Sequence, residues 1–330
     1  MSIFKQTLLA AVLCGAFGVA AAAPDDTYYG NSSNRDNVRP SQSDAIPFGA
    51  GKAGLRFVNG GNWSASINLQ NGPVQHIRAK YNDRNKTPIP INGTDPSANV
   101  NGTRNPQYLT LHDVVPILGN WFINPRLGQV WYENRAHNTE VYSVRQMAEL
   151  SSSGIAAKIP KFGGLVIAKV PGMSEGNNVF FGEWAPRAGN PPQNSTDLNM
   201  GDSRRTVWYV GDNPTGNTTG VRIATYNVLG INKHTPGQND FYTGQVTATF
   251  GSGITGTMAG RISRSSDHVD FDHAKIDNRN GTFADPSQGM TGRFYGNQAA
   301  AMAGYTTRGT GNVGDDVAFG GSTTDIETRK

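Results

Sequence analysis

The chain opens on its one long apolar run. Leu8 to Val19 is almost wholly hydrophobic, follows Lys5, and gives way to Ala20, Ala21, Ala22 and Ala23. A run that short spans a bilayer poorly, and it ends on the small residues a signal peptidase needs. The pattern therefore predicts a secretory signal over residues 1–22, cut after Ala22. Beyond it, apolar residues come in short stretches. Residues 24 to about 50 are polar and are expected to form a loose amino-terminal arm. Leu55 to Val58 and Trp63 to Leu69 read as strands around Asn59-Gly60-Gly61-Asn62, a strong hairpin signal. After the turn Asn71-Gly72-Pro73, His76, Arg78 and Lys80 mark a more basic strand. Residues 81 to 106 read as a long loop. Tyr108 to Phe122 is the densest apolar stretch after the signal, and Val114-Val115-Pro116 argues against a long helix there. Gln129–Tyr132, Glu140–Val144, Leu165–Val170 and Val179–Trp184 complete the strands of this half.

Residues 186–205 are rich in Pro, Asn and Gly and are expected to link two domains. From Thr206 the alternation becomes regular. Candidate strands fall at 206–210, 220–230, 243–250, 254–262, 267–276, 279–284, 290–296 and 315–321. Gly251-Ser252-Gly253 marks a hairpin between the third and fourth, and the alanines of Asn297 to Ala303 favour a helical turn before the last. Eight short strands at this spacing suit an up-and-down barrel, which leaves no open edge. The fold class expected is all-β with minor α: a β-rich amino-terminal domain over 23–185 and an eight-stranded antiparallel β-barrel over 206–330.

Composition changes this picture in three places. Glycine is abundant, at 41 of 330 residues, as many tight turns require. The formal net charge is +4, one of it from Lys5, and no basic tract stands out, so nucleic acid is not an expected partner. Cys14 is the single cysteine and lies inside the signal. Leu13 precedes it where an acylation signal places a small residue, so the mature chain is expected to be secreted and extracellular. Attachment at the outer-membrane surface is the alternative. A mature chain without cysteine has no disulfides and no thiolate metal sites. No Gly-x-Ser-x-Gly, His-Glu-x-x-His or Walker motif occurs, so no enzyme is expected.

Three stretches carry a family resemblance. Thr206-Val207-Trp208-Tyr209-Val210-Gly211-Asp212 comes first. Arg293-Phe294-Tyr295-Gly296-Asn297-Gln298-Ala299-Ala300-Ala301-Met302-Ala303-Gly304 follows, and Asp316-Val317-Ala318-Phe319-Gly320-Gly321 closes the set. The pattern F-Y-G, A, M-A-G, then F-G-G over residues 179–321 resembles the barrels of the transferrin-binding-protein-B-like proteins that Slam, an outer-membrane export protein, delivers to the surface of Gram-negative bacteria. Without a convincing acylation signal, the chain looks most like the secreted hemophilin branch. The resemblance implies that the barrel directs export. It also implies that the amino-terminal domain carries heme b as a transported ligand, taken from a host heme protein and passed to a TonB-dependent receptor for iron acquisition. A host-protein-binding or immune-evasion factor of the same export family is the alternative reading.

A heme carrier needs an apolar slot, aromatic walls and an axial ligand. Without cysteine the ligand falls to His, Tyr or Met. His112, in Leu111-His112-Asp113-Val114-Val115, is a candidate iron ligand or else a packed histidine satisfied by backbone. His137, in a polar turn between two strands, is a candidate second iron ligand or an exposed loop residue. His76 is a third candidate, with Arg78 and Lys80 as propionate partners or plain surface charge. Trp121 and Tyr132, with Phe122, Trp131 and Tyr142, are able to wall a porphyrin or simply to fill a core. His268, Asp270 and Asp272 share a strand face but read as solvated, and His234 reads as a loop residue.

Overall fold

A computed structural model describes residues 28–43, 49, 51–59, 62–82, 108–110, 126–147, 161–174, 176–189 and 195–328. The signal, the linker's centre, most of the 81–106 loop, and the run from Leu111 to Phe122 with His112 and Trp121 lie outside the described residues.

The described residues form three stacked layers. The first is a small sheet of β2 (Val38–Gln42), β3 (Ala53–Asn59), β4 (Asn62–Trp63) and β5 (Ile67–Asn68). The expected hairpin is present, with Val58 opposite Trp63 and Asn59 opposite Asn62. Its second strand is broken, because Ser64 and Ser66 turn inward and are buried. Ser64 donates to the Ala65 carbonyl and receives the Phe57 N–H, so it diverts the chain from the ladder. A wide helical turn, Gln70–Val74, then leads into helix α1 (Gln75–Asn82). The basic strand expected at His76 is thus helical. Val74 and Ile77 both pack inward, a three-residue spacing, and Gln, Arg, Ala and Lys between and after them favour helix.

The second layer is a seven-stranded antiparallel sheet in the order β1-β11-β10-β9-β8-β7-β6. Its members are β1 (Tyr28–Ser32), β6 (Tyr108–Thr110), β7 (Arg126–Asn134), β8 (Glu140–Gln146), β9 (Gly164–Lys169), β10 (Val179–Ala185) and β11 (Thr206–Asp212). Two expectations are corrected here. The amino-terminal arm holds β1 and β2, polar strands kept in place by pairing with β11 and β3. The stretch 206–210, expected as the barrel's first strand, pairs with β10 and β1 instead, so residues 186–205 connect two strands of one sheet. Every residue of β10 and β11 is buried, as expected for strands covered on both faces.

The third layer is a closed antiparallel barrel. Its staves are β12 (Val221–Ile231), β13 (Tyr242–Thr249), β14 (Thr255–Arg264), β15 (Asp267–Asp270) with β16 (Lys275–Asp277), β17 (Thr282–Asp285), β18 (Met290–Tyr295), β19 (Ala301–Thr306) and β20 (Val317–Thr328). β12 pairs with both β13 and β20, which closes the ring at eight staves. The expected strand 267–276 breaks after Asp270, where Phe271 pairs back to the Gly260 carbonyl and β14 bends at Gly260 (φ +117°). The helical turn expected over Asn297–Ala303 shrinks to a single irregular 3-10 turn at Asn297–Ala299. Gln298 and Ala299 take positive φ in a tight turn, and Ala301 onward is a strand hydrogen-bonded on both sides. The count of eight survives because this strand replaces the one lost at 206–210.

The barrel's interior is apolar, around Tyr226, Val246, Phe250, Phe271, Phe283, Phe294 and Phe319. A second core lies between barrel and sheet. Val166, Ala168, Val179, Phe181 and Tyr209 of the sheet meet Leu229, Tyr295, Ala301, Ala303, Tyr305 and Ala318 of the barrel. The fit needs small residues. A Cβ on Gly320 would stand 2.5 Å from the Phe181 ring, and one on Gly211 would stand 2.7 Å from the Tyr295 ring. Tyr295 and Tyr305 also donate their hydroxyls to the β1 carbonyls of Tyr29 (2.9 Å) and Ser32 (3.1 Å). The edge strand is therefore pegged by the barrel.

Candidate functional site

The sheet has two different faces. Residues 131, 133, 141, 143, 166, 168, 181, 183, 207 and 209 point at the barrel, and their neighbours point outward to the small sheet and α1. Chemistry-bearing side chains gather at one place on each face, both near the β7–β8 hairpin.

On the outer face Tyr132 lies directly opposite Tyr142, with ring centroids 5.3 Å apart. Glu140, two residues before Tyr142, lies opposite Lys169 on the next strand. The Tyr132 hydroxyl donates to Glu140 Oε1 at 3.1 Å, and Arg78 of α1 reaches the same oxygen at 3.4 Å. Lys169 Nζ donates to Gln70 Oε1 at 2.9 Å in the turn before α1. Burial and the Glu140 carboxylate push the Tyr132 phenol up to about 12. The same two causes raise Tyr142 further, and burial lowers Lys169. The result is a cluster of two phenols, one carboxylate and two cations.

The expected site residues fall around this cluster unevenly. Tyr132 is in it. His76 is half-buried on α1, two residues before Arg78. His137 is exposed at the hairpin tip, where His137 and Asn138 take positive φ (62° and 59°), beyond the ladder that carries Tyr132. His112 and Trp121 lie outside the described residues. Trp131 faces the barrel, in the core between the two layers. Among the described residues no group of three or more His, Cys, Asp or Glu is placed to hold a metal ion. His268 is exposed on the barrel and pairs with Asp270, which also binds Arg261.

On the barrel face the cluster is one the sequence reading passed over. His234 lies in the β12–β13 connection but is fully buried. Its Nε2 sits 2.6 Å from Glu133 Oε2 and its Nδ1 sits 2.6 Å from Asp240 Oδ1. Burial alone would lower its pKa, but the two carboxylates outweigh that and push it up to about 10. At neutral pH it is an imidazolium clamped between anions. Glu133 also accepts from Arg135 and from Gly237 N at 3.0 Å. Beside it the buried Glu183 accepts from His234 N (2.6 Å), Lys233 N (2.9 Å) and Arg205 Nε (2.7 Å). Arg205 then donates to the Val313 and Asp316 carbonyls of the barrel. The three carboxylates and the imidazole are all hydrogen-bonded, so the cluster is a latch between layers. A signal for it was present: Glu133 and Glu183 interrupt apolar strands, and a buried carboxylate requires a buried partner.

No family model matches the chain, and no curated protein matches it. Among solved structures, one described as a surface lipoprotein aligns over 61% of this chain and 100% of that one, at 15% identity and a TM-score of 0.31. A likeness of that degree carries no argument about function.

Proposed function

We propose that this chain is an exported heme carrier, secreted or displayed at the cell surface, with the sheet layer holding the ligand and the barrel serving as scaffold and export module. One observation carries the reading. The residues behind the family resemblance, Gly211, Tyr295, Ala301, Ala303 and Gly320, meet in the seam between sheet and barrel. The shared wording is therefore a packing requirement of a two-layer unit, and the hemophilin-like function comes with it as a proposal. The outer face suits a carboxylate-bearing macrocycle. Tyr132 offers an aromatic wall, Arg78 and Lys169 offer cations for propionates, and His76 stands beside them on α1. His112 and His137 remain the proposed iron ligands. The proposed partners are heme, an outer-membrane Slam exporter and a TonB-dependent receptor.

The test is a hemin titration of the mature chain, residues 23–330, followed by desalting. A shifted Soret band retained at one heme per chain is expected, and His112→Ala or His137→Ala should alter it. No retained heme overturns the reading. Capture of a host serum protein by the heme-free chain in the same series would put the host-protein-binding alternative in its place.

A further inference from the structure

The outer-face cluster has the donor set of a hard-cation site. Tyr132, Tyr142 and Glu140 converge from two neighbouring strands of a rigid sheet. The Tyr142 side chain is fully buried, and its hydroxyl faces the Glu140 carboxylate that Tyr132 and Arg78 also reach. The Tyr132 hydroxyl and Glu140 Oε1 are 3.1 Å apart. An octahedral ion at about 2.0 Å from each ligand holds adjacent oxygens about 2.8 Å apart, so the pair already spans close to one coordination edge.

From this geometry we infer that Tyr132, Tyr142 and Glu140 form a binding site for a hard trivalent cation of the ferric class. All three donors are oxygen, which hard ions select over imidazole or thiolate. The exchange balances: one Fe(III) enters, the two phenols stay and bind it as phenolates, and their two protons pass to solvent. Two phenolates and one carboxylate then cancel the charge of three. The ion supplies the driving force for ionising phenols that burial otherwise keeps protonated. Arg78 has half its side chain exposed. It and Lys169 stand where they can hold a small anion that completes the coordination shell. The inference does not depend on heme, since it concerns the free ion and the heme-free chain.

The experiment titrates heme-free mature chain with ferric nitrilotriacetate and records the visible spectrum. A phenolate-to-iron charge-transfer band saturating at one ion per chain is expected. Tyr142→Phe removes only one hydroxyl and keeps the ring, so it should fold with an unchanged far-ultraviolet spectrum and lose the band. Glu140→Gln should weaken binding by about tenfold or more. If Tyr142→Phe fails to fold, Tyr132→Phe carries the same test. Absence of a band, or a band that survives both tyrosine variants, overturns the site. A parallel hemin titration separates the two readings. Heme uptake without the ferric band removes this site alone, and the ferric band without heme uptake removes the heme reading alone.

Discussion

Replacing His234 by Asn should cost the chain several kcal/mol at neutral pH, and the cost should fade as the pH rises. The reasoning starts from the clamp. His234 is fully buried between Glu133 and Asp240, and its folded-state pKa is about 10 against 6.5 when unfolded. A group with a raised pKa contributes stability that is fully present below the unfolded value and is lost as the pH climbs through the folded value. The window is therefore pH 6.5 to about 10. Over that span the linkage is on the order of 4–5 kcal/mol. Breaking a buried ion pair by removing one partner costs about 3–5 kcal/mol, so two independent routes agree. Arg135 and the Gly237 N–H still cover Glu133 in the variant, which places the expected loss toward the lower end.

Urea unfolding of wild type and His234→Asn, followed by tryptophan fluorescence at pH 6.5, 8 and 10, measures this directly. Trp131, Trp184 and Trp208 all sit in the sheet layer and report its integrity. The expected gap is about 3 kcal/mol at pH 6.5 and shrinks toward zero near pH 10. Taking the difference between the two proteins cancels tyrosine and lysine titrations that both share. A gap under about 1 kcal/mol at pH 6.5, or one that stays constant to pH 10, would refute the charged clamp.

Three further outcomes follow from the seam and the sheet. Gly320→Val should destabilise the chain by about 1–3 kcal/mol in the same urea assay, because its Cβ meets the Phe181 ring at 2.5 Å; a neutral effect would mean the layers are not packed as described. Tyr295→Phe should cost about 1 kcal/mol and quicken proteolysis near Tyr29, since it frees that carbonyl; an unchanged cleavage rate counts against the peg. A fragment ending at Arg205 lacks β11 and should show no cooperative thermal transition by circular dichroism, and a sharp transition would show that β11 is dispensable to the sheet.

How legible this was in the sequence depends on what each residue needed in order to be placed. The barrel staves with clean alternation, such as Tyr242–Thr249, were readable because one face meets a core and the other meets water. Thr206–Asp212 was readable as a strand but not as to its sheet. It is apolar on both faces, and a two-sided strand carries no mark of its partner. The alanines at 299–303 favour helix when counted locally. Ala301 and Ala303 are small because they lie in the seam with Phe181, a demand set about 120 residues away. His76 reads as a strand residue because alternation and the 3.6-residue period agree over so few positions. The latch was partly legible: Glu133 and Glu183 announce that something buried must answer them, yet nothing local points to His234 or Arg205. The outer-face cluster was half seen. Tyr132 was singled out as an aromatic wall, while the convergence of its hydroxyl with Tyr142 and Glu140 is a consequence of register, which only the β7–β8 pairing fixes.

The topology ties the sheet's outer face to the barrel more tightly than a tethered pair of domains would. The sheet's edge strand β1 lies near the amino terminus, and its neighbour β11 comes only after residue 205. β1 is then pegged by Tyr295 and Tyr305 from the last staves of the barrel. The sheet therefore cannot finish folding until almost the whole chain is available. Loop-closure of this range is slow, and incomplete sheets expose edges in the meantime. The outer-face cluster, on β7, β8 and β9, thus belongs to a sheet that is completed only once β11 has been made. The latch at His234 serves the same end. It joins β7 and β10 to the β12–β13 connection, and β7 with β8 carries Tyr132, Tyr142 and Glu140 on the opposite face. Loosening the latch should therefore loosen the outer-face cluster on the opposite side of the same strands.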